Sequence, residues 1–307
     1  MEPTTKHAFL TGVTGQAGPD VLAELVCRGF EVVALVRRPA QISGCRVIVG
    51  DLFDPAPFAK EVEESDVIVH LASSRSLGQD EVLGDIAGCA GVIEHWKHGT
   101  FVGLSSGSLH PGSPVALREG MPLAIGNGYA LGKACNEFQL RVAAGVGRRG
   151  PGITLRPGIF LGAGKRRDDR QVLGEIYKRC RSNAKFLFWS EEGLESFGSS
   201  FIGTADFGRA VSDALVLKIS GAYNVAGGFC TWRHLIETIN RCAGTRAEFV
   251  VSPRPPSVSG EFALPQCRRF LDTAKFDQAA SFVPRQTLEQ LVEDYVRAEQ
   301  TAGVRPH

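Results

Sequence analysis

Short apolar segments alternate with longer segments of helical periodicity through the first two thirds of the chain. Several apolar segments show no alternation with polar residues, as is typical of strands covered on both faces of a parallel sheet. The pattern predicts strands over residues 7–11, 31–36, 46–49, 66–71, 100–104 and 152–155. Between the first two strands, Val21, Leu22 and Leu25 mark one face of a helix. This order of strands and helices predicts an α/β fold built on a doubly wound parallel sheet.

The pattern changes after Pro157. A charged stretch follows at 165–170, and the later segments predict helices over 172–181, 231–243 and 287–298 and strands over 200–203, 222–225 and 247–251. Because loops and a proline-rich break separate these elements, we expect a discontinuous second unit. We predict a Rossmann-type domain over residues 1–164, to which 200–228 return, and a smaller C-terminal substrate lobe over 165–199 and 229–307.

Composition and charge limit the classes of molecule that the chain is expected to bind. The 307 residues include 34 Lys and Arg against 33 Asp and Glu, so no overall basic field favours nucleic acid. No apolar run reaches the roughly 18 residues of a membrane span, and the first apolar stretch is too short for a signal peptide. The eight cysteines show no metal-ligand spacing, which favours reduced thiols and no metal site. We expect a cytoplasmic protein that binds a small molecule and neither nucleic acid nor membrane.

Glycine is in excess, at 36 of 307 positions, and three glycines follow the first predicted strand with the spacing GxxGxxG. They open the first predicted helix, where glycines allow a tight turn and a close approach of the backbone to a pyrophosphate. The residues expected to bind a dinucleotide in this loop are Gly12, Thr14, Gly15, Gln16, Ala17 and Gly18. The alternative is a loop in which the glycines serve the turn alone.

The end of the second predicted strand carries Arg37 and Arg38. Enzymes that bind NAD place an acidic residue there to accept the adenosine ribose hydroxyls, whereas a guanidinium pairs well with a phosphate. The arginine pair therefore predicts NADP as the cofactor, with NAD as the alternative if both are ordinary surface charges. After the third strand, Asp51 is expected near the adenine amino group, unless it caps the next helix.

A phenol, an ammonium and a hydroxyl are the candidate catalytic groups of this chain. Tyr129 and Lys133 lie four residues apart, on one face of a predicted helix. The ammonium, together with the positive ring of an oxidised nicotinamide, favours the phenolate form of Tyr129 and its action as acid and base. Ser106 follows the fifth strand, at the edge where open α/β sheets bind ligands, and is placed to hold a carbonyl. Taken singly, these residues also fit a surface pair and a helix cap.

Motifs along nearly the whole chain resemble those of one family. They are TGxxGxxG at 11–18, GDL at 50–52, VIVHLA at 67–72, LSS at 104–106, YxxxK at 129–133 with Glu137, LRPG at 155–158 with Gly162, FI at 201–202 with Asp206, and YNV at 223–225. In this order they resemble the extended short-chain dehydrogenases/reductases, also called the NAD-dependent epimerase/dehydratase family. The resemblance implies a Rossmann domain and an oxidoreductase with the catalytic triad Ser106, Tyr129 and Lys133. It also implies that Lys133 binds the nicotinamide ribose.

The same resemblance implies contacts from other loops. Further cofactor contacts are expected from Leu52, Leu71, Ala72, Ser73, Pro157, Gly158 and Ile159. Substrate contacts are expected from Ser74, Ser108, His110, Arg254 and Arg268. Family members often pair through the helix that bears Tyr129 and the helix before it, which implies a homodimer.

Two departures from the family's motifs limit the reactions and substrates that are expected for this chain. Sugar-nucleotide 4,6-dehydratases carry Asp-Glu after the serine position, where this chain has Gly107 and Ser108, so dehydration is not expected. Many nucleotide-sugar enzymes carry Arg-Asp just before the strand at 201, where this chain has Ser199 and Ser200. A nucleotide sugar is therefore disfavoured, unless Arg254, Arg268 or Arg269 of the second lobe compensates.

These observations lead to three functional hypotheses. The first is an NADP(H)-preferring oxidoreductase that interconverts a ketone and a secondary alcohol, on a sugar or a natural-product intermediate. The second is a sugar or nucleotide-sugar epimerase that works through a keto intermediate. The third is a non-catalytic dinucleotide sensor, which the presence of both Tyr129 and Lys133 disfavours.

Overall fold

The computed structural model describes residues 6–73, 78–146, 149–163, 172–253 and 261–302. The strands are β1 (Lys6–Thr11), β2 (Phe30–Val36), β3 (Arg46–Val49), β4 (Val67–His70), β5 (Thr100–Leu104), β6 (Gly152–Pro157), β7 (Ile159–Leu161), β8 (Lys185–Phe188), β9 (Gly198–Gly203), β10 (Gly221–Val225), β11 (Gly228–Thr231), β12 (Glu248–Val251), β13 (Glu261–Ala263) and β14 (Arg268–Arg269). The helices are α1 (Gly18–Cys27), α2 (Ala59–Glu63), α3 (Gln79–His95), α4 (Gly128–Val146), α5 (Val172–Arg181), α6 (Glu191–Ser196), α7 (Thr204–Ala214), α8 (Trp232–Ala243), α9 (Ala274–Ala280) and α10 (Leu288–Ala302). A 3₁₀ turn, Gly107–Leu109, follows β5.

Seven of these strands form one parallel sheet, in the order β10-β6-β5-β4-β1-β2-β3. The order of the first six strands of the chain is that of a doubly wound Rossmann sheet, and β10 extends it beyond β6. All six strands predicted for the first domain are confirmed, two of them with the predicted bounds, and the sixth continues to Pro157. The predicted fold class is confirmed.

Helices cover both faces of this sheet, as the alternation of side chains along β1 shows. Ala8 and Leu10 face an apolar cluster that includes residues of α1 and α7. Phe9 points the other way, into a cluster that includes residues of α3 and α4. Burial on both faces explains why the strand sequences are apolar without interruption.

β9 is the centre of a second unit. It pairs with β7, β11 and β14, and a separate small sheet has the order β12-β8-β13. Helices α5, α8 and α10 cover these strands through an apolar cluster that includes Ile176, Ile236 and Val292. The bounds of α5 are those predicted from the helical periodicity.

The segment 200–228 divides between the two units. Helix α7 packs on α1, and β10 joins the main sheet, whereas β9 belongs to the second sheet. Strands that come before and after β9 in the chain both pair with it, and this pairing holds it away from the main sheet. The division into residues 1–164 and 165–199 with 229–307 remains a prediction.

Glu137 and Arg156 form an ion pair inside the molecule, between α4 and β6. Nε and Nη2 of Arg156 donate to the two carboxylate oxygens of Glu137 at 2.8 and 2.6 Å, and both side chains are less than a tenth exposed. The remaining nitrogen, Nη1, donates to the backbone oxygen of Glu119 at 3.1 Å. Because the two hydrogen bonds fix both groups, the pair sets the position of α4 against the sheet.

Replacing Glu137 by Gln is expected to lower the free energy of unfolding by about 3–5 kcal/mol, because the buried guanidinium of Arg156 loses its counter-charge. Urea denaturation followed by circular dichroism measures the change. The control is Glu64→Gln, which breaks the exposed ion pair with Lys60 and is expected to leave stability close to wild type. Equal effects of the two substitutions would contradict the structural role of the buried pair.

Candidate active site

Glycines give the loop between β1 and α1 its shape. Gly12 has a φ of +76°, and a Cβ atom there would lie 2.6 Å from the backbone nitrogen of Ala72. The N–H of Gly15 donates to the carbonyl of Gly12 at 2.8 Å, which closes a tight turn. A Cβ atom at Gly18 would lie 2.3 Å from the carbonyl oxygen of Val13. The backbone itself therefore requires glycine at Gly12 and Gly18.

The start of α1 fits an anionic group. The helix begins at Gly18 and its N-cap is Ala17, whose methyl side chain cannot accept hydrogen bonds from the N–H groups of the first turn. These N–H groups and the helix dipole favour negative charge at this end. Thr14 and Gln16 lie in the same loop, so the arrangement fits the pyrophosphate of a dinucleotide.

Arg37 and Arg38 follow β2 directly and are exposed. β1 and β2 run in parallel with Thr11 opposite Leu35, so the two arginines lie at the same edge of the sheet as the glycine loop. An exposed guanidinium at this edge can reach a phosphate on the adenosine ribose of a bound dinucleotide.

Asp51 lies at the same edge, after β3. Its Oδ1 accepts the backbone N–H of Phe53 at 3.1 Å, so the carboxylate shapes the loop that contains Leu52. The N-cap of the following helix, α2, is Phe58. The alternative in which Asp51 caps that helix is therefore wrong.

The loop after β4 contacts the glycine loop. Its predicted cofactor residues are Leu71, Ala72 and Ser73. The N–H of Ala72 donates to Oγ1 of Thr11 at 3.2 Å, and the hydroxyl of Ser73 donates to Asp85 at 2.9 Å. These bonds hold the loop against the start of the cofactor site.

His70, the last residue of β4, is not among the residues predicted for the site. Its Nδ1 lies 2.9 Å from Oγ1 of Thr11, which itself holds the loop after β4. Burial and then the positive charge of Lys133 lower the pKa of His70 to about 3, so the ring is neutral near pH 7. A histidine that ends an apolar strand at the ligand-binding edge is the signal that would have found it.

The junction of β6 and β7 borders the site on its other side. Pro157 ends β6, and Ile159 begins β7. Between them, the N–H of Gly158 donates to the carbonyl of Val225 at 2.9 Å, and a Cβ atom at Gly158 would lie 2.5 Å from the carbonyl oxygen of Ser200. Glycine is needed here because β9 passes close to the end of the main sheet.

Lys133 contacts both of the segments that carry the other candidate catalytic residues. Its side chain is buried, and its Nζ donates to the carbonyl oxygen of Leu104 at 2.9 Å. The same Nζ lies 5.8 Å from the ring centroid of Tyr129. Leu104 ends β5, and Ser106 follows two residues later. The fold thus brings Lys133 of α4, with Tyr129 one helical turn before it, to the carboxyl end of β5, two residues before Ser106.

Ser106 begins the 3₁₀ turn and pairs with Ser108. Its Oγ accepts the N–H of Ser108 at 3.2 Å and lies 2.8 Å from the hydroxyl oxygen of Ser108. The capping role that the sequence left open is confirmed for Ser106. A hydroxyl that accepts a hydrogen bond still keeps a proton to donate, so capping and contact with a substrate oxygen are compatible.

His110 lies inside the molecule. It is fully buried, and its Nε2 is 3.3 Å from Nη1 of Arg156. Burial, followed by the charge of Arg156, lowers the pKa of His110, so its ring stays neutral. The structure places this ring in the network around Arg156, and its contact with substrate remains a prediction.

The remaining predicted substrate residues are dispersed. Arg268 lies on β14 of the second unit, and Ser108 is exposed beside Ser106. Ser74 and Arg254 lie outside the described residues. The described residues contain neither a helix long and apolar enough to cross a membrane nor a group of three His, Cys, Asp or Glu side chains placed to hold a metal ion.

Comparison with known proteins identifies the class. Residues 8–200 match the NAD dependent epimerase/dehydratase family. The UDP-glucose 4-epimerase of Thermotoga maritima, solved with UDP-glucose, is similar with a TM-score of 0.79 and 16% identity, over 96% of this chain and 99% of that chain. The dTDP-glucose 4,6-dehydratase of Bacillus anthracis, solved with NAD, has a TM-score of 0.78 and 15% identity, over 97% of both chains. The UDP-glucuronic acid 4-epimerase of Bacillus cereus, solved with UDP-glucuronic acid and NAD, has a TM-score of 0.78 and 19% identity, over 95% of this chain and 99% of that chain.

The protein belongs to the NAD-dependent epimerase/dehydratase family. The matched region begins in β1 and includes the glycine loop and all three candidate catalytic residues. The predicted membership among the extended short-chain dehydrogenase/reductase enzymes is confirmed.

Gly18→Ala is expected to weaken dinucleotide binding at least tenfold, because the new Cβ atom would collide with the carbonyl of Val13 and displace the loop. Isothermal titration calorimetry with NADP⁺ and NAD⁺ measures the affinity. The matched control is Gly145→Ala on α4, where a Cβ atom meets nothing within 4 Å. This control is expected to bind as wild type and to be slightly more stable, since alanine favours helix. Wild-type affinity in the Gly18 variant would argue against a phosphate site at this loop.

Proposed function

We propose that this protein is an NADP(H)-preferring oxidoreductase that transfers hydride between nicotinamide and a ketone or secondary alcohol. The observation that carries the proposal is the placement of Lys133, whose Nζ bonds to the carbonyl of Leu104 at 2.9 Å and lies 5.8 Å from the ring of Tyr129. A phenol, an ammonium and the hydroxyl of Ser106 thus share the sheet edge that also carries the glycine loop.

Each of these side chains has a role in the proposal. Tyr129 gives a proton to the substrate oxygen or takes one from it, and Ser106 donates a hydrogen bond to the same oxygen. Lys133, whose buried ammonium lies 5.8 Å from the ring of Tyr129, binds the nicotinamide ribose. A bound nicotinamide cofactor supplies or accepts the hydride.

The preference for NADP is supported by Arg37 and Arg38, which are exposed at the cofactor edge. An acidic residue at this position would repel the 2′-phosphate of NADP, whereas a guanidinium attracts it. Two of the compared structures contain NAD, which remains the alternative cofactor.

An epimerase acting through a keto intermediate is the second candidate, and the likeness to two 4-epimerases favours it. Against a nucleotide sugar stand Ser199 and Ser200, which are buried, with Oγ of Ser200 accepting the N–H of Leu271 at 3.0 Å. Hydroxyls that hydrogen-bond to the backbone offer no positive charge to a pyrophosphate. The two candidates differ in the net consumption of cofactor, because an epimerase retains its cofactor and a reductase oxidises one NADPH for each carbonyl that it reduces.

We also propose that two copies pair through α3 and α4. These helices pack against each other, and α4 exposes an apolar stripe at helical spacing. The stripe consists of Leu131, Phe138, Val142 and Val146. Exposed apolar stripes of this kind are typical of contacts between protein chains.

The cytoplasm is the proposed location. All eight cysteines are free thiols. Burial raises the pKa of Cys89, Cys180 and Cys230 to about 12, so these thiols are unreactive. Free and unreactive thiols are usual in a reducing compartment.

Tyr129→Phe is expected to lower the turnover of NADPH-dependent carbonyl reduction by at least about a hundredfold, because general acid catalysis contributes that much or more. The loss of NADPH absorbance over a panel of ketones and aldehydes measures turnover, and calorimetry is expected to show unchanged NADP⁺ affinity. The control is Tyr177→Phe on α5, which removes a phenol of the second unit. Full turnover by the Tyr129 variant would rule out this triad. Interconversion of a sugar by wild type without consumption of NADPH would favour the epimerase.

Arg37→Asp is expected to shift the cofactor preference from NADP towards NAD, because a carboxylate repels the 2′-phosphate and accepts the ribose hydroxyls. The ratio of the dissociation constants of NADP⁺ and NAD⁺, measured by calorimetry, is expected to change at least tenfold. The control is Arg246→Asp, at an exposed arginine of the second unit. If both variants keep the wild-type ratio, Arg37 does not bind the 2′-phosphate.

A further inference from the structure

β14 presents two consecutive arginines, and their side chains point in opposite directions, as successive side chains of a strand do. The guanidinium of Arg268 lies 5.1 and 4.9 Å from the ring centroids of Phe229 and Phe270. Its Nη1 donates to the carbonyl of Pro114 at 2.9 Å. Arg268 is therefore engaged with protein groups.

Arg269 lies on the opposite face of this segment, together with Leu271. Cδ1 of Leu271 is 2.8 Å from the position that a Cβ atom would take at Gly107, the residue after Ser106. At the other end of the 3₁₀ turn, Nε of Arg269 donates to the carbonyl of His110 at 3.3 Å. Arg269 thus lies along the turn that begins at the candidate catalytic serine.

The positive charge of Arg269 lacks a carboxylate partner among the residues that the structure describes. Asp272, three residues beyond Arg269, pairs with Arg118 at 3.1 Å. The carboxylates whose charges act on His110 are also engaged, since Glu137 pairs with Arg156 at 2.6 Å and Glu119 accepts the N–H of Asn224 at 2.9 Å. The side chain of Arg269 is partly buried. A partly buried guanidinium that is only weakly compensated favours an incoming anion.

We propose that Arg269 binds an anionic group of the substrate, a carboxylate or a phosphate, while the reacting carbonyl of the same molecule lies at Ser106 and Tyr129. The planar fork of a guanidinium matches such groups. A 3₁₀ turn rises about 2 Å per residue, so Ser106 and His110 are separated by roughly 8 Å along the turn. The anionic group is therefore several bonds from the reacting carbon. This inference rests on the proposed function and specifies its substrate class as an oxo acid or a phosphorylated ketone.

The test measures binding separately from turnover. Two matched pairs of probes are titrated into protein saturated with NADP⁺, which cannot reduce a ketone. One pair is 4-oxopentanoate and 2-pentanone, and the other is dihydroxyacetone phosphate and dihydroxyacetone. Wild type is expected to bind at least one anionic probe about tenfold to a hundredfold more tightly than its neutral partner. The comparison of the two pairs distinguishes a carboxylate from a phosphate.

Three variants assign the preference to one side chain. Arg269→Gln is expected to lose the preference for the anionic probe. Arg269→Lys, which keeps the charge without the planar fork, is expected to keep part of that preference. Arg118→Gln removes the same charge from an exposed arginine and is expected to keep the full preference for the anionic probe. Circular dichroism confirms that each variant is folded. Equal binding of anionic and neutral probes by wild type, or a full preference in Arg269→Gln, overturns the inference.

NADPH oxidation with the same probes separates this inference from the proposed function. An anion preference that depends on Arg269, without reduction of any carbonyl, supports the anion site and counts against the reductase. Reduction of a ketone by wild type with no dependence on Arg269 supports the reductase and overturns the anion site.

Discussion

The ion pair between Glu137 and Arg156 holds the geometry on which the candidate site depends. Glu137 lies one helical turn beyond Lys133 on α4. Arg156 follows Leu155, which pairs with Leu104 of β5. Because two hydrogen bonds join the charged groups in the interior, α4 cannot slide along the sheet without leaving both charges uncompensated. The ammonium of Lys133 is thereby held at the end of β5, next to the candidate catalytic serine.

β9 connects the cofactor side of the molecule to the side proposed for the substrate. It passes so close to the junction of β6 and β7 that Gly158 has no room for a side chain. Further along the same edge it pairs with β14, whose two arginines differ in direction. The hydroxyl of Ser200 joins these segments through the N–H of Leu271. The small second sheet therefore brings the guanidinium of Arg269 to the end of the turn after β5.

Local patterns predicted the fold and the shape of the cofactor loop. Burial on both faces of a parallel sheet produces uninterrupted apolar runs, and these located all six strands of the first domain. The spacing of Gly12 and Gly18 predicted the loop, because backbone contacts there exclude a Cβ atom whatever the rest of the molecule does. Asp51 was harder, since a carboxylate after a strand fits both a contact with adenine and a helix cap, and the cap is excluded only because Phe58 is the N-cap of α2. His110 was expected to contact the substrate, whereas the structure buries its ring beside Arg156, which lies 46 positions along the chain.

By itself, the sequence determined the family, the order of strands and helices, and the chemical groups that follow each strand. The parallel arrangement then follows, because strands joined by helices place their carboxyl ends along one edge. The tertiary structure alone decided that β9 leaves the main sheet, that His70 is buried and neutral, and that Arg269 rather than Arg268 lies along the turn after Ser106. These outcomes depend on pairing and burial between distant segments. β14 is two residues long, too short for its sequence to show which side chain faces which way, and the charge of a histidine is set by the water that the fold removes from it.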